Sequence, residues 1–209
     1  MNETIMIVDD SPYIVDGLVT LLKRKGFKPM AAYDGNECLS LLASSKPDLI
    51  LLDIMMEPVD GWETLEQIRG NPAIRDIPIL MFSAKKITAE EAIEHSMNID
   101  EFVAKPVNPA ELLGAIERIF KRREDLAKDT LQAQGAGRDA KTVEECSKLR
   151  KNIDVDKNLL SVLKASCGVD IPGKTIAESD MAAITGLEEK IRAAEARLKE
   201  LNDKFTEKT

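Results

Sequence analysis

Polar residues that could do chemistry stand directly after short apolar runs of this sequence. Leu49–Leu52 is a continuous apolar run that ends in Asp53, as a strand buried on both faces of a parallel sheet would. Open α/β sheets bind ligands beyond the carboxyl ends of their strands, and parallel strands share that edge. We therefore expect the residues that end such runs to converge. They are Asp9, Asp10, Asp53, Ser83 and Lys105.

Together these side chains have the composition of a phosphoryl-transfer site. Carboxylates that lie close together repel one another, and a hard divalent cation such as Mg²⁺ neutralises them. Beside such a cation, Asp53 is a plausible nucleophile toward phosphorus. Lys105 could balance the charge of the transferring group, and the Ser83 hydroxyl could donate a hydrogen bond to it. Each residue alone is more often a cap, a turn residue or a solvated lysine, so the prediction depends on all five.

The elements that would position these residues alternate along the first half of the chain. Apolar runs predict five strands, and helical periodicity with capping signals predicts five helices between and after them. This order predicts an α/β fold in which a parallel sheet is connected by right-handed crossovers. The predicted strands are Thr4–Val8, Phe27–Ala32, Leu49–Asp53, Ile77–Phe82 and Glu101–Ala104.

The five residues belong to a longer set whose types and spacing match a known family. That set is Asp9-Asp10, Asp53, Asp60-Gly61, Ser83, Phe102 and Lys105-Pro106. On these residues, positions 3 to about 122 resemble the receiver (CheY-like) domain of two-component response regulators. The resemblance implies a flavodoxin-like (βα)5 fold, a doubly wound parallel sheet of order 2-1-3-4-5, in a receiver domain that we place at residues 1–122.

The resemblance also implies roles for the acidic residues. Asp53 would accept a phosphoryl group from a sensor histidine kinase or a phosphotransfer protein, in a reaction that needs Mg²⁺. The Asp10 and Asp53 carboxylates and the Met55 backbone carbonyl would bind the Mg²⁺ directly, and Asp9 would bind it through water. The chain would then be a phosphoprotein that assists its own phosphorylation and dephosphorylation, without being an enzyme in any further sense.

A switch and a cis peptide bond are implied in the same way. Ser83 would move toward the phosphoryl group while the Phe102 ring turns inward, with Lys105 as the catalytic cation. The bond between Lys105 and Pro106 would be cis, which an X-Pro bond permits at modest cost. In one departure from many receivers, Glu57 stands four residues after the acceptor, where they have proline, and Pro58 follows it.

Composition limits the classes of function. The net charge of the 209 residues is −8, and the acidic surplus lies in residues 1–120, so binding to nucleic acid is disfavoured. No apolar run reaches membrane-spanning length, and the first residues do not have the pattern of a signal peptide. The cysteines, Cys38, Cys146 and Cys167, are widely spaced, which favours reduced thiols in a cytoplasmic protein.

The second half of the chain has a different pattern. Residues 123–139 have the composition of a linker, through which the preceding helix could continue until the glycines break it, and residues 140–209 are predicted to be helical. An apolar face recurs over residues 143–163 and is interrupted by Asp156. The last helix carries a heptad seam with Glu188 and Glu195 at e positions and Lys190 and Arg197 at g positions. The seam consists of Ile184, Leu187, Ile191, Ala194, Leu198, Leu201 and Phe205.

That seam could pack in two ways, which the sequence does not separate. It could pack on residues 143–163 as an intramolecular hairpin, or between chains as a coiled coil, and a four-helix dimer would combine the two. We therefore predict a response regulator whose helical module binds a downstream protein or forms a homodimer. The alternative is a phosphorylation-controlled transcription regulator with an atypical helical DNA-binding module. An enzymatic output is not supported, because no catalytic constellation appears in residues 123–209. The P-loop pattern at 168–175 is rejected, because a helical segment precedes it in place of the buried strand that the motif needs.

Overall fold

The computed structural model describes residues 2–84, 87–106, 108–135, 140–169 and 176–206. Five strands alternate with helices and are followed by two further long helices. The strands are β1 Thr4–Val8, β2 Lys28–Ala32, β3 Leu49–Asp53, β4 Ile79–Ser83 and β5 Glu101–Ala104. The helices are α1 Pro12–Arg24, α2 Gly35–Leu42, α3 Gly61–Gly70, α4 Ala89–His95, α5 Pro109–Gly135, α6 Ala140–Cys167 and α7 Glu178–Thr206.

The strands form one parallel sheet in the order β2-β1-β3-β4-β5, so the predicted fold class is confirmed. Strands β3 and β4 are buried along their whole length, in agreement with their continuous apolar sequences. Strand β4 begins at Ile79 rather than at the predicted Ile77. Pro78 precedes it and has no amide N–H to donate to a neighbouring strand.

Helix boundaries follow the local capping chemistry. The Asp34 and Asp60 carboxylates accept hydrogen bonds from backbone N–H groups in the first turns of α2 and α3. A capping box formed by Thr88 and Glu91 begins α4. After α1, Gly26 has a φ of 86°, a left-handed conformation that glycine adopts without strain.

The chain divides into two compact units. The sheet unit comprises Met1–Lys86 and Asn98–Ile116, and the helical unit comprises Ile87–Met97 and Glu117–Thr209. Helix α4, which follows strand β4 in the sequence, therefore belongs to the helical unit. Helix α5 continues to Gly135, so the predicted linker at 123–139 is helical up to that residue, and 136–139 lie outside the described residues.

Helices α6 and α7 pack against each other as an antiparallel pair. The direction follows from their ion pairs, because Lys164 meets Glu188 whereas the earlier Lys157 meets the later Glu195. The heptad seam of α7 is buried within the single chain at Ile184, Leu187, Ile191 and Leu201. The hairpin alternative thus describes the packing of this chain, and pairing between chains stays a prediction.

Asp156 does not interrupt α6, which runs unbroken through it. The side chain is 1% exposed and contacts Lys190 of α7. The predicted break in the apolar face is therefore a buried carboxylate that pairs, inside the helical unit, with a lysine whose side chain is 33% exposed. Among the described residues, no helix combines the length and the apolar character that crossing a membrane requires.

Candidate functional site

The predicted polar residues converge at the carboxyl edge of the sheet. The Lys105 ammonium lies between two buried carboxylates, with its Nζ 2.7 Å from Asp9 Oδ2 and 2.7 Å from Asp53 Oδ2. These residues are separated by 96 and 52 positions in the sequence. The sheet therefore brings together the acids and the base that the strand-end argument selected.

The backbone of the sheet fixes this arrangement. Asp53, the last residue of β3, is the register partner of Phe82, and Ser83, the last residue of β4, is the partner of Ala104. The N–H of Lys105 donates to the Ser83 carbonyl oxygen at 2.8 Å, which places Lys105 directly beyond the end of β5. Parallel strand pairing thus fixes the backbone position from which the side chains of Asp53, Ser83 and Lys105 extend.

Asp9 is fully buried, at 0% exposure. Burial raises the pKa of the Asp9 carboxyl, because the charged form loses its hydration. Hydrogen bonds from Lys105 and from the Ser11 N–H, the latter 2.9 Å from Asp9 Oδ1, oppose that rise in pKa. A buried carboxylate of this kind is stabilised in its charged form by nearby positive charge, which Lys105 supplies.

Three carboxylates could hold a metal ion together. Oxygen atoms of Asp9, Asp10 and Asp53 lie within 4.8 Å of one another, and Asp10 is the exposed member. Lys105 supplies one positive charge against these three negative ones, so the cluster keeps a negative surplus. Oxygen donors with surplus negative charge fit a hard divalent cation such as Mg²⁺. The roles given to the Met55 carbonyl and to a water on Asp9 stay predictions. The Met55 N–H donates to Asp53 Oδ1 at 3.3 Å.

The predicted switch residues are both inside the sheet unit. Ser83 is 1% exposed and Phe102 is 2% exposed, so the Phe102 ring occupies an inward position. Phe102 is the register partner of Met81, two residues before Ser83 in β4. The Lys105–Pro106 peptide bond is cis, and so is the bond between Glu57 and Pro58, at the place where the sequence departs from many receivers.

Phe82 contributes to the site in a way that the sequence analysis missed. The Lys105 Nζ lies 4.5 Å from the centroid of the Phe82 ring, a distance at which a cation is attracted to an aromatic face. The ring thus helps to hold the ammonium between the two aspartates. Its signal was present in the sequence, since Phe82 is the last apolar residue before Ser83.

Gly61 also contributes to the site, and its physical role could not be derived from the sequence. Its N–H donates to the Ile54 carbonyl oxygen at 2.9 Å. A Cβ atom here would collide with the backbone of Asp53 and Ile54, and the Asp53 carbonyl oxygen would be the nearest atom. Only glycine lets helix α3 begin this close to the strand that carries Asp53.

An apolar groove adjoins the site. It has a volume of about 460 Å³, and its wall includes Lys105 and Pro106 together with residues of α1. Tyr13, at the rim, is 90% exposed. The remaining lining residues are Ile14, Gly17, Leu18, Leu21 and Pro109.

Comparison with known families agrees with this geometry. Residues 5–117 match the family described as response regulator receiver domain. The chain belongs to this family. Residues 122–209 match a second family, described as Metanogen output domain 2. The receiver therefore supplies the carboxylates, the hydroxyl and the lysine, and the helices after it match an output domain.

Related proteins align over the receiver. The transcriptional regulatory protein PhoP for alkaline phosphatase synthesis in Bacillus subtilis is 36% identical over 124 residues, which cover 59% of this chain and 51% of PhoP. Protein PilG of Pseudomonas aeruginosa is 36% identical over 113 residues, covering 54% of this chain and 84% of PilG. The chain thus matches only about half of the length of PhoP.

Solved structures resemble the same part of the chain. The Francisella response regulator 1452 receiver domain has a TM-score of 0.53 at 29% identity and covers 58% of this chain and 99% of its own. The response regulator TrrA of Thermotoga maritima, solved in complex with Mg²⁺-BeF, has a TM-score of 0.50 at 30% identity, and the match covers 56% of this chain and 98% of TrrA. Receiver domains bind Mg²⁺ at an acidic pocket, and this chain has the corresponding aspartate cluster.

Proposed function

We propose that this response regulator accepts a phosphoryl group on Asp53 in a Mg²⁺-dependent reaction and signals through its helical unit. The observation that carries the proposal is the Lys105 ammonium, 2.7 Å from an oxygen of both Asp9 and Asp53 at the carboxyl edge of the sheet. A cation fixed beside a nucleophilic carboxylate can stabilise the charge of a phosphoryl group in transfer. The Mg²⁺-BeF complex of TrrA supports the same chemistry in a related domain.

Transfer of the phosphoryl group requires only a few side chains of the protein. A bond forms between an Asp53 carboxylate oxygen and phosphorus, while the bond between phosphorus and the donor atom breaks and the donor keeps that electron pair. Asp9, Asp10 and Asp53 would hold the Mg²⁺, which neutralises phosphoryl oxygens when bound. Lys105 would offer its N–H groups to the same oxygens, and Ser83 would donate its hydroxyl proton. The chain is in this proposal not an enzyme acting on other molecules, because these groups act on its own Asp53.

Phosphorylation by a small donor tests the proposal. We expect acetyl phosphate with Mg²⁺ to add one phosphoryl group, measured by intact mass spectrometry, and chelation of Mg²⁺ to abolish the addition. The Asp53→Asn variant should gain none. Asp16→Asn, a matched change at an exposed position of α1, should behave as the wild type. Equal phosphorylation of wild type and Asp53→Asn would contradict the proposal.

The donor protein would bind along the apolar groove. Receiver domains interact with sensor histidine kinases or phosphotransfer proteins, and Lys105 lines this groove as well as the acceptor site. A protein docked there would have its phosphorylated side chain near Asp53. The occupant we propose is therefore the phosphodonor protein. Free, buried thiols at Cys38 and Cys146 are consistent with the reducing cytoplasm, in which we place this exchange.

Comparing phosphorylation by a protein donor with phosphorylation by acetyl phosphate distinguishes an effect on docking from an effect on the chemical step. Tyr13→Ala should raise the KM for a phosphorylated histidine domain several-fold and leave the rate with acetyl phosphate unchanged, because only docking loses contact area. Tyr33→Ala is the matched control, since Tyr33 is also an exposed tyrosine of the sheet unit, at 41% exposure, but does not line the groove. Equal kinetics for the two variants with the protein donor would exclude docking at the groove.

The helical unit would act through protein contacts. Its seam residues Ile184, Leu187 and Ile191 are already buried inside the chain, so a coiled coil between chains would first have to separate α7 from α6. The four predicted e and g residues also make their ion pairs inside the chain. The match of residues 122–209 to an output domain supports an output role. We therefore favour binding of a downstream protein by the intramolecular hairpin over homodimerisation through the seam.

Light scattering of the full chain distinguishes these outputs. With Mg²⁺ alone and with added beryllofluoride, which imitates the acyl phosphate, we expect a monomer mass in both cases. A dimer that forms only with beryllofluoride would favour phosphorylation-gated self-association instead. Fluorescence of Trp62, the one tryptophan in the chain, would verify that beryllofluoride has bound.

A further inference from the structure

The segment Ile87–Met97 belongs to the helical unit although it lies in the middle of the receiver sequence. Its residues Ile87, Ala92, His95 and Ser96 are all buried. Ser83, the hydroxyl of the acceptor site, ends β4 only four residues before Ile87. The segment thus continues directly from the acceptor site in sequence and packs with α6 and α7 in space.

One lysine links this segment to the hairpin. Lys190 of α7 places its Nζ 2.6 Å from Ser96 Oγ and 3.1 Å from Asp156 Oδ1 of α6. Asp156 is 1% exposed, and within the described part of the chain its Oδ2 has no hydrogen-bond partner. The Lys190 ammonium therefore compensates a buried charge and, with its second contact, reaches the end of α4.

The setting of this contact distinguishes it from the other ion pairs of the hairpin. In the pairs of Lys157 with Glu195 and Lys164 with Glu188, both side chains are at least 36% exposed, and such pairs contribute little to stability. Lys190 is 33% exposed, close to Lys164, so the difference lies in the carboxylate: Asp156 is 1% exposed and cannot exchange its lysine contact for water. A displacement of Ser96 would alter the surroundings of the lysine that pairs with this buried carboxylate.

We propose that Lys190 is a latch that holds residues 87–97 to α6 and α7, and that phosphorylation of Asp53 loosens it. The inference rests on the proposed function for its trigger, and on the Ser96–Lys190–Asp156 contact for its location. A ligand that favours the loosened state must bind more tightly once the latch is broken, because coupling between two sites is reciprocal.

Two variants break the latch in different ways. Ser96→Ala removes the acceptor on the α4 side and leaves the ion pair intact. The double variant Lys190→Met with Asp156→Leu replaces the pair by apolar side chains of similar volume, which buried pairs often tolerate. Lys157→Met is the matched control, since it makes the same lysine change in an exposed pair of the same hairpin.

Hydrogen exchange of the full chain, followed by mass spectrometry, tests the latch itself. Amides of residues 87–97 should exchange about tenfold faster in Ser96→Ala, as the loss of one hydrogen bond from a charged donor predicts. Exchange should rise at least as much in the double variant and stay at the wild-type rate in Lys157→Met. An unchanged exchange rate of residues 87–97 in Ser96→Ala would overturn the latch. This test depends on Ser96→Ala alone, so it remains valid if the double variant does not fold.

Beryllofluoride affinity in the presence of Mg²⁺ tests the coupling. We expect several-fold tighter binding in Ser96→Ala than in Lys157→Met and the wild type. Faster exchange with unchanged affinity would overturn the coupling to Asp53. Absence of beryllofluoride binding in the wild type would instead count against the proposed function, while the exchange experiment would still judge the latch.

Discussion

The two units of this chain each hold a lysine against a nearly inaccessible aspartate, and they do so with different charge balance. In the sheet unit, Lys105 meets Asp9 and Asp53, and with Asp10 the cluster contains three carboxylates. In the helical unit, Lys190 meets Asp156 and a neutral hydroxyl. The first cluster retains negative charge and offers oxygen ligands to a further cation, whereas the second is balanced. Unbalanced charge at a strand edge indicates chemistry, and balanced charge between helices indicates structure.

The same substitution at the two lysines should therefore have different consequences. Lys105→Met should lower the rate of phosphorylation by acetyl phosphate about 10²–10³-fold, because it removes a donor that stabilises the transferring group. The rate is measured by intact mass over time. A fall of less than about threefold would remove Lys105 from the reaction and erase the contrast between the two lysines.

Lys190→Met alone should act on stability. It leaves the Asp156 carboxylate buried without its cation, at a cost of about 3 kcal/mol in the free energy of unfolding. Urea denaturation followed by circular dichroism measures this loss. Lys157→Met, at an exposed pair, should change the free energy by less than about 1 kcal/mol. Equal losses in the two variants would show that the burial of Asp156 does not determine how much its lysine partner contributes to the free energy of unfolding.

Gly61→Ala tests whether the backbone beside Asp53 is as closely constrained as the structure indicates. The added Cβ would meet the Asp53 and Ile54 backbone, which cannot rotate away, so we expect a loss of about 2 kcal/mol in the free energy of unfolding. Gly17→Ala, inside α1 with no atom within 4 Å of the added Cβ, should instead gain about 0.5–1 kcal/mol. Similar values for both would mean that α3 can shift without cost.

The smallest expected effect concerns the thiols. Burial raises the pKa of the Cys38 thiol to about 12, so at pH 8 the reactive thiolate is about 10⁻⁴ of the total. Cys167 of the helical unit is partly exposed. At pH 8 in the absence of denaturant, a maleimide should label Cys167 first and leave Cys38 unlabelled, as peptide mass spectrometry would show. Early labelling of Cys38 would mean that the sheet unit opens more readily than its buried core implies.

The sheet unit could be predicted from sequence because its rules are local. Buried parallel strands have continuous apolar sequences, and any polar residue at their carboxyl ends must lie on one edge, so Asp53, Ser83 and Lys105 could be brought together without coordinates. Phe82 and Gly61 were harder to find. Their roles depend on ring placement and on the approach of α3 to β3, which strand-end position does not specify.

The helical unit was less predictable for a physical reason. The heptad pattern established which face of α7 is apolar, but an apolar face is satisfied equally by a hairpin or by a second chain. Asp156 looked like an interruption because its partner, Lys190, lies on another helix. The membership of residues 87–97 in this unit had no sequence signal, since it depends on helix packing rather than on periodicity.

The measurement that tests the central claim most directly is the location of the phosphoryl group in the chain. Borohydride reduces an aspartyl phosphate to homoserine, so treatment with acetyl phosphate and Mg²⁺, followed by borohydride and peptide mass spectrometry, marks the acceptor. We predict homoserine at position 53, dependent on both acetyl phosphate and Mg²⁺, with Asp9 and Asp10 unmodified. Homoserine at Asp9 or Asp10, or no homoserine despite phosphate incorporation, would contradict the assignment of Asp53 as the acceptor.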